Sequence, residues 1–471
     1  MKAPISVILF FFLASTSQLA AEKTDHPHII LCMADDQGFG DTGYNGHPFV
    51  KTPHMDKMAA NGLRFDRFYA AASVCSPTRA SVMTGRNPIR SNVPDHGRSM
   101  RPQEITVAEA LKTAGYVTGH FGKWHIGSVE KSSPVSPGAA GFDEWLSAMN
   151  FFDLNPYMSH NGKAVKLEGE SSMITVDGTI DFLRKNAKSG QPMFCVVWFA
   201  SPHDPFQALG DDLKLYEGKK LAGYYREMTA MDRAIGKLRK ELIDLGIHEN
   251  TLFWYCSDNG GLNTETSGGR MKKGSVYEGG LRVPAYIEWP ARIAKGSTSS
   301  TPCFTSDIYP TLLDLVDVKI DNQPVLDGES IVNLIDGNEF DRKSAMKFWN
   351  WRGSGRSTWS DRIIKKLYDA QKEGREIGDP SRLDLDAAEI KTVYPEDVLH
   401  GHSTINDWPW KLHRIRAKSG DVSLELYDLE KDPMESSNVL KDHKDMAGKM
   451  VRELEEWQRS VIRSRNGEDY K

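Results

Sequence analysis

The stretch HIILCMADD, residues 28–36, runs from an apolar segment directly into two aspartates. A short apolar run that ends abruptly at polar residues is typical of a buried strand followed by a loop. Three later runs end in the same way: GYVTGHFG before Lys123 and His125, MFCVVWFAS before Pro202 and His203, and TLFWYCS before Asp258 and Asn259. The sequence therefore predicts four buried strands with polar residues at their carboxyl ends.

Helical patterns lie between these runs. Thr106 and Glu109 have capping-box spacing ahead of Gly115, and residues 224–246 show a long amphipathic pattern. Strands that alternate with helices indicate an α/β fold with a large, mostly parallel sheet flanked by helices. Ligands bind such sheets outside the carboxyl ends of the strands. We therefore expect the four polar segments to meet in one crevice.

The chain length of 471 residues suggests a large domain with a smaller companion. After about residue 345 the pattern changes to shorter strands and a helical tail over 446–463. We expect a catalytic domain over 22–345 and a smaller C-terminal α+β subdomain over 346–471. The net charge of −5 gives no general attraction to nucleic acid.

The first 21 residues have the composition of a cleaved export signal: Lys2, an apolar run over 5–14, and small residues at Ala20 and Ala21. That run is too short to span a bilayer, so we expect a periplasmic or secreted protein without stable membrane insertion. The alternative is an uncleaved amphipathic first element. Export would permit disulfides. Cys32, Cys195 and Cys256 lie in apolar runs, however, which predicts buried core cysteines, and their spacing is not that of a zinc site.

Oxygen ligands are the common feature of two of the strand ends. Asp35, Asp36, Asp258 and Asn259 supply three carboxylates and an amide oxygen. This donor set suits a hard divalent cation, calcium first and magnesium second, and argues against zinc. An isolated Asp-Asp pair is more often a turn or helix cap, so the prediction depends on the two pairs lying on neighbouring strands.

The stretch CSPTR, residues 75–79, combines a candidate nucleophile with a helix start. Pro77 is suited to the first turn of a helix, where unpaired N–H groups favour an anion that Arg79 could also reach. Lys123, Lys273, His125 and His203 add further cations or donors, although a lone histidine is more often structural. Cations around a metal suit a tetrahedral oxyanion ester, either phosphate or sulfate, with Cys75 as the nucleophile.

At this level of detail the chain resembles the type I sulfatases. CSPTRAS matches the Cys-x-Pro-x-Arg signature of that family, and four further motifs follow in its order: GKWHIG, SPHDP, SDNGG and KKGSVYEGGLRVP. The resemblance covers residues 28–345, and ELYDLEKDPMESSN, residues 425–438, is similar to the usual C-terminal segment of the family. It implies an alkaline-phosphatase-like fold and the hydrolysis of sulfate esters.

The resemblance also implies a role for each motif residue. Cys75 would be oxidised to formylglycine by a formylglycine-generating or anaerobic maturing enzyme, and its hydrate would supply the nucleophile and a second hydroxyl that expels sulfate. Asp35, Asp36, Asp258 and Asn259 would bind calcium beside Cys75. Arg79 would hold the hydrate, Lys123 would bridge it to sulfate, His125 would remove a proton, and His203 and Lys273 would contact the sulfate.

The substrate is expected to be a sulfate ester on a carbohydrate, such as a fragment of a sulfated polysaccharide, because an exported enzyme meets extracellular polymers. The aromatic and basic residues expected to contact the sugar are Trp351, Arg352, His400, His402 and His413, although such tryptophans are often core residues. Three other activities remain open: a phosphodiesterase or phosphonate ester hydrolase, a non-catalytic binder of sulfated glycans, and an enzyme that uses the unmodified thiol of Cys75.

Overall fold

The computed structural model describes residues 26–351, 353, 355–417 and 419–470. The predicted signal peptide over 1–21 and the predicted sugar contact Arg352 lie outside the described residues. The strands, in chain order, are β1 (His28–Ala34), β2 (Leu63–Tyr69), β3 (Val117–Lys123), β4 (Glu144–Ala148), β5 (Tyr157–His160), β6 (Lys163–Lys166), β7 (Met193–Trp198), β8 (Thr251–Ser257), β9 (Arg282–Glu288), β10 (Ser297–Ser299), β11 (Cys303–Phe304), β12 (Met346–Asn350), β13 (Gly401–Asp407), β14 (Trp410–Arg416) and β15 (Val422–Asp428).

The helices are α1 (Pro53–Asn61), α2 (Cys75–Thr84), α3 (Val107–Thr113), α4 (Ser171–Asn186), α5 (Ala222–Asp244), α6 (Glu278–Leu281), α7 (Ile308–Leu315), α8 (Val332–Ile335), α9 (Ser360–Lys372) and α10 (Lys444–Arg465). The predicted capping box is present at the start of α3, where Thr106 and Glu109 exchange hydrogen bonds. Within the described part of the chain, no helix has both the length and the apolar character needed to cross a membrane.

A large sheet contains β1 to β11 in the order β10-β2-β9-β8-β1-β7-β3-β4-β5-β6, with β11 also paired to β2. Its centre, β8-β1-β7-β3-β4, is parallel throughout, whereas β9 runs antiparallel between β2 and β8. The four strands predicted from the apolar runs are β1, β3, β7 and β8, and they are neighbours in this centre. The predicted fold class is confirmed.

Both faces of the large sheet are covered by helices, which explains why the central strands are continuously apolar. On one face, Ile30 of β1 and Val197 of β7 share a core cluster with Met231 of α5. On the other face, Met33 and Trp198 share a cluster with Val82 of α2. Alternate residues of a strand point to opposite faces, so a strand that is buried on both has no polar side.

The five cysteines of the chain all lie among the described residues, where each is buried and none forms a disulfide. Cys32, Cys195 and Cys256 lie on the adjacent central strands β1, β7 and β8. They serve as small apolar core residues, as their sequence context predicts.

A second sheet of four antiparallel strands has the order β12-β13-β14-β15. Its inner face packs against α10, where Leu412 and Leu426 share a core cluster with Leu454. This sheet begins at Met346, but α9 returns to the large sheet, because the Gln371 side chain hydrogen-bonds the backbone at Gly162 and Ala164. The division of the chain at 345/346 stays a prediction.

Candidate active site

The oxygen donors predicted from the sequence meet at the carboxyl ends of β1 and β8. These two strands are paired in register up to Ala34 and Ser257, so the residues that follow them are adjacent. The Asp36 N–H donates to Asp258 Oδ1 over 3.1 Å, and Asn259 Nδ2 donates to Asp36 Oδ1 over 2.7 Å. Asp35, Asp36, Asp258 and Asn259 are all fully buried.

Each of these carboxylates has a cationic partner. Arg79 Nη2 lies 2.7 Å from Asp258 Oδ2, and Lys123 Nζ lies 2.5 Å from Asp35 Oδ2. Lys273 Nζ lies 2.6 Å from Asp36 Oδ2. The three cations come from α2, the end of β3 and the loop before α6, respectively. The site therefore holds three carboxylates and three permanent cations, which is a formally neutral arrangement.

Cys75 is the first residue of α2, as the Pro77 signal predicts. The helix ends at Gly85, whose φ of 70° lets its N–H bond Ser81 O. All ten residues of α2 are buried, and atoms of Cys75, Asp35 and Asp258 lie within 4.8 Å of one another. The Gly274 N–H donates to Ser73 O over 2.8 Å and so places the Lys273 loop beside this helix start.

Electrostatics at Cys75 disfavour catalysis by an unmodified thiol. Burial raises the pKa of the Cys75 thiol, and nearby Asp35 and Asp258 raise it further against the opposing effect of Lys123 and Lys273. A thiol with a raised pKa is mostly protonated near neutral pH and is a poor nucleophile. The reading as a thiol-dependent enzyme is therefore not supported by the surroundings of Cys75.

Burial and mutual repulsion disfavour the ionised forms of these carboxyl groups, and a divalent cation would offset both effects. Burial, followed by repulsion from Asp35, raises the pKa of Asp258 to about 7. Burial also opposes ionisation of Asp35, but Lys123, followed by His203 and Arg79, holds the pKa of its carboxyl well below the usual range. Asp35 Oδ1 and Asn259 Oδ1 are buried and have no hydrogen-bond partner. Two unpaired buried oxygens among ionised carboxylates fit a hard divalent cation.

A cavity of about 340 Å³ opens above this cluster. Four of the residues predicted from the motifs line it, namely Cys75, His125, His203 and Lys273. His125 has a positive φ of 57°, its Nε2 lies 3.2 Å from Thr358 Oγ1, and burial lowers the pKa of its imidazole well below the usual value. His125 is therefore neutral and can accept a proton from a group in the cavity.

His203 faces the same cavity from the loop after β7. Its Nδ1 lies 2.6 Å from the backbone oxygen of Asp204, and its Nε2 lies 3.7 Å from Asp36 Oδ2. Phe151 stacks on the imidazole at 5.1 Å between centroids with an interplanar angle of 7°. The hydrogen bond and the stacking fix the ring, so that Nε2 points towards the carboxylate cluster.

Seven cavity residues were missed in the sequence analysis: Val74, His96, Asn150, Phe151, Ser357, Thr358 and Trp359. They lie in loops and belong to no motif that the sequence analysis used. Trp359 is 52% exposed and packs edge-on against Phe151 at 5.7 Å. An aromatic side chain within the polar stretch GSGRSTWS was the signal available in the sequence, since such a residue has little to pack against in a loop.

The four predicted sugar contacts that the structure describes do not line the cavity around Cys75. Trp351 is 7% exposed and packs against Trp349 at 4.8 Å, so it is mainly a core residue, although it also lines a second cavity. His400 is exposed on the segment before β13. His402 is partly buried, and its Nε2 lies 2.9 Å from His413 Nδ1.

The prediction that His413 contacts a sugar is wrong. Its side chain is 0% exposed, and its Nε2 lies 2.7 Å from Glu435 Oε1. Glu435 also lies 3.2 Å from Lys411 Nζ, which pairs with Glu278 at 2.8 Å. His413 therefore belongs to a buried polar cluster between the second sheet and α6 and cannot reach a ligand.

The chain is similar to known proteins over most of its length. The sulfatase family model matches residues 27–318, and the model of the C-terminal region of N-sulphoglucosamine sulphohydrolase matches residues 268–377. The N-acetylgalactosamine-6-sulfatase of Mus musculus is 31% identical over 381 residues, which are 71% of this chain and 71% of that protein. The ulvan-active sulfatase of Formosa agariphila is 31% identical over 361 residues, 70% of each chain.

Among solved structures, Ps i-CgsB in complex with k-i-k-neocarrahexaose superposes with a TM-score of 0.76 at 25% identity, covering 92% of this chain and 93% of that one. The sulfatase model spans more than half of the chain and includes Cys75, the strand-end carboxylates and the cations that pair with them. The chain therefore belongs to the sulfatase family and is a sulfuric ester hydrolase.

Proposed function

We propose that this enzyme is exported and hydrolyses sulfate esters on carbohydrates, with a formylglycine made from Cys75 as the nucleophile. The observation that carries the proposal is the meeting of Cys75 with three carboxylate–cation pairs at the floor of one cavity. The carbohydrate class is supported by the relatives named for a sulfated amino sugar and for ulvan. We further propose that the cavity admits a fragment of a sulfated polysaccharide.

Calcium is the proposed ion, with magnesium as the second choice. Asp35, Asp36, Asp258 and Asn259 would hold it, because their oxygens form a hard donor set and two of those oxygens accept no hydrogen bond from the described residues. When bound, such an ion supplies electrostatic stabilisation to the anionic ester and to the nucleophile. Its charge would also stabilise the ionised form of Asp258, whose pKa burial and Asp35 raise.

The proposed aldehyde at Cys75 requires a maturing enzyme, either formylglycine-generating or anaerobic. Its hydrate would supply one hydroxyl as the nucleophile and a second hydroxyl whose deprotonation releases sulfate. Arg79 is positioned to orient position 75, because it follows one turn later on α2 and its guanidinium is fixed by Asp258. Lys123, fixed by Asp35, is the proposed contact between position 75 and the sulfate.

Proton transfers are assigned to the two histidines. His203 Nε2 is proposed to donate to the leaving oxygen of the sugar, because the ring is held by the Asp204 carbonyl and by Phe151. Neutral His125 is proposed to accept the proton whose loss releases sulfate. Lys273 is proposed to contact the sulfate oxygens beside His203, because Asp36 Oδ2 lies 2.6 Å from Lys273 Nζ and 3.7 Å from His203 Nε2.

The test is turnover by the matured protein of a sulfated oligosaccharide panel, an aryl sulfate and a phosphodiester. We expect the highest kcat/KM on a sulfated oligosaccharide, and Cys75→Ala should abolish turnover. Mass spectrometry of the peptide that contains position 75 should show the aldehyde. A fully active enzyme with an unmodified thiol would overturn the nucleophile, and a preference for the phosphodiester would identify a phosphoester hydrolase instead.

Export is tested separately by sequencing the amino terminus of the mature protein from the cell envelope and the culture medium. Residues 1–21 have the charged, apolar and small-residue regions of a cleaved signal. We expect the mature chain to begin close to residue 22. A chain recovered only from the cytoplasm with residues 1–21 intact would contradict export.

A further inference from the structure

A second cavity, of about 580 Å³, lies at the end of α10. Its lining comes from the segment after α2, the segments after β12 and α9, and the last residue of α10. The cationic and aromatic residues in this lining are Arg98, Arg101, Arg356, Lys391, Arg465, Trp351 and Tyr394. We call it the arginine cavity.

Two of its arginines are buried with unsatisfied N–H groups. Arg465 is 5% exposed, and its guanidinium carbon lies 4.7 Å from the Trp351 ring centroid and 4.1 Å from that of Tyr394. Its Nη2 donates to the Tyr394 hydroxyl over 3.1 Å, while Nε and Nη1 have no partner. Arg101 is 3% exposed, donates from Nη2 to the Arg465 backbone oxygen, and also has unpaired Nε and Nη1 atoms.

The acidic residues of the cavity do not neutralise these two guanidinium groups. Asp384 pairs with Arg356 at 2.5 Å and accepts from Ser99 Oγ over 2.6 Å. Asp386 pairs with Lys391, and Glu389, the third acidic residue of the lining, is exposed. Within the described part of the chain, neither Arg101 nor Arg465 therefore pairs with a carboxylate.

The positive charges of the arginine cavity repel one another. Burial, followed by the Arg101 and Arg98 charges, lowers the pKa of Arg465 to about 10 despite an opposing effect of Tyr394. A guanidinium group keeps its proton even when it is buried. A buried guanidinium group is therefore normally paired with an anion. Planar guanidinium groups bind carboxylate and sulfate oxygens through paired N–H donors.

The arginine cavity and the cavity around Cys75 share a wall. The Arg356 N–H donates to His96 O over 2.8 Å, which joins the two segments that separate the cavities. His96 and Ser357 line the cavity around Cys75, whereas Arg98 and Arg356 line the arginine cavity. At Gly97 an added Cβ would lie 1.9 Å from Arg356 O, so the wall is only two backbone segments thick.

We propose that the arginine cavity is a subsite for a second anionic group, carboxylate or sulfate, on the same carbohydrate whose sulfate ester is hydrolysed beside Cys75. The subsite rests on the proposed function, since it presupposes a carbohydrate in the neighbouring cavity. It predicts that the preferred substrate is an oligosaccharide with an acidic group in addition to the reacting ester.

The experiment compares oligosaccharides of equal length that carry the same reactive sulfate ester and, on the neighbouring sugar, a carboxylate, a second sulfate or a hydroxyl. Wild-type enzyme should show at least about a tenfold higher kcat/KM on the acidic compounds than on the neutral one. Arg465→Gln should reduce this ratio about tenfold. Arg98→Gln, at an exposed position of the same lining, should reduce it in the same direction if Arg465→Gln fails to fold.

Arg463→Gln is the matched control, because it removes the same charge from the same helix turn, where Arg463 pairs with Glu396 outside both cavities. It should leave the ratio unchanged. Equal kcat/KM on acidic and neutral compounds in wild type, or equal losses on both in the Arg465 and Arg98 variants, would overturn the subsite. Absence of turnover on every sulfate ester, including an aryl sulfate, would instead overturn the proposed function, and calorimetric binding of the acidic and neutral compounds would still test the subsite.

Discussion

The two adjacent cavities hold their positive charges in opposite ways. Around Cys75, each of Arg79, Lys123 and Lys273 has a buried carboxylate within 2.7 Å. In the arginine cavity, Arg101 and Arg465 are equally buried but keep N–H groups with no acceptor. The first arrangement is formally neutral, and the proposed metal cation would give it the positive charge that attracts an anion. The second has an excess of positive charge without any ion. Removing a charged side chain should therefore have different effects in the two cavities.

The largest effect is expected from Asp258→Asn. The substitution keeps the shape and an acceptor for Arg79 but removes one of three carboxylates around the proposed ion. Calcium affinity should fall at least a hundredfold and kcat by about 10³-fold, as for the loss of a principal electrostatic group. Calorimetric calcium titration and turnover of an aryl sulfate measure these effects.

Asp384→Asn is the control for the calcium titration, because Asp384 lies in the arginine cavity. It should leave calcium affinity unchanged. If Asp258→Asn binds calcium as tightly as wild type, the oxygen cluster at the strand ends is not the metal site.

The next largest effect concerns a buried cluster in which all charges are paired. Glu435 bonds Lys411, His413 and the Glu278 N–H, so Glu435→Ala would leave a fully buried ammonium group with one carboxylate fewer. We expect the free energy of unfolding to fall by about 3–5 kcal/mol, as for one broken partner of a buried ion pair. Urea denaturation measures it. A loss below about 1 kcal/mol would show that solvent or rearrangement replaces the missing partner.

A buried carboxyl without a cation gives the third prediction. Glu227 lies beneath the loop that carries His203, and burial, followed by repulsion from Asp153, raises the pKa of its carboxyl to about 9 from 4.5. The unfolded chain releases this proton above about pH 4.5, whereas the folded chain keeps it up to about pH 9. The carboxyl therefore destabilises the fold progressively as the pH rises through this window.

Glu227→Gln should remove that penalty. The gain in unfolding free energy over wild type should be about 4 kcal/mol larger at pH 8 than at pH 5. Denaturation curves of both proteins at the two pH values provide the measurement. A constant difference between the proteins would mean that Glu227 is ionised in the folded state.

The smallest effect is expected from Arg465→Met without ligand. The change removes a buried, partly unsatisfied charge together with its contacts to Trp351 and Tyr394, and these opposing effects should leave the unfolding free energy within about 1 kcal/mol of wild type. Sodium sulfate at equal ionic strength to a chloride control should stabilise wild type more than the variant. A large loss in chloride alone would indicate a structural role for the guanidinium group.

The sequence predicted the charged residues around Cys75 but not those of the arginine cavity. Asp35, Lys123, His203 and Asp258 each follow a recognisable apolar run, and parallel strands bring such ends to one edge, so local pattern was sufficient. The arginine cavity draws on separate stretches that no local pattern connects. His413 was assigned to a ligand from the aromatic and basic residues around it in the sequence. Its actual partner, Glu435, is 22 residues away on a different element, and the local sequence does not reveal the burial that this tertiary contact produces.

The burial of all ten residues of α2 sets an order of events during biosynthesis. Position 75 lies at the inner end of a cavity of about 340 Å³, which can admit part of a sugar but not the active site of another protein. The maturing enzyme proposed for Cys75 would therefore have to bind the segment 75–79 before α2 is buried. A molecule that folded before this step would keep the Cys75 thiol and would lack the proposed nucleophile.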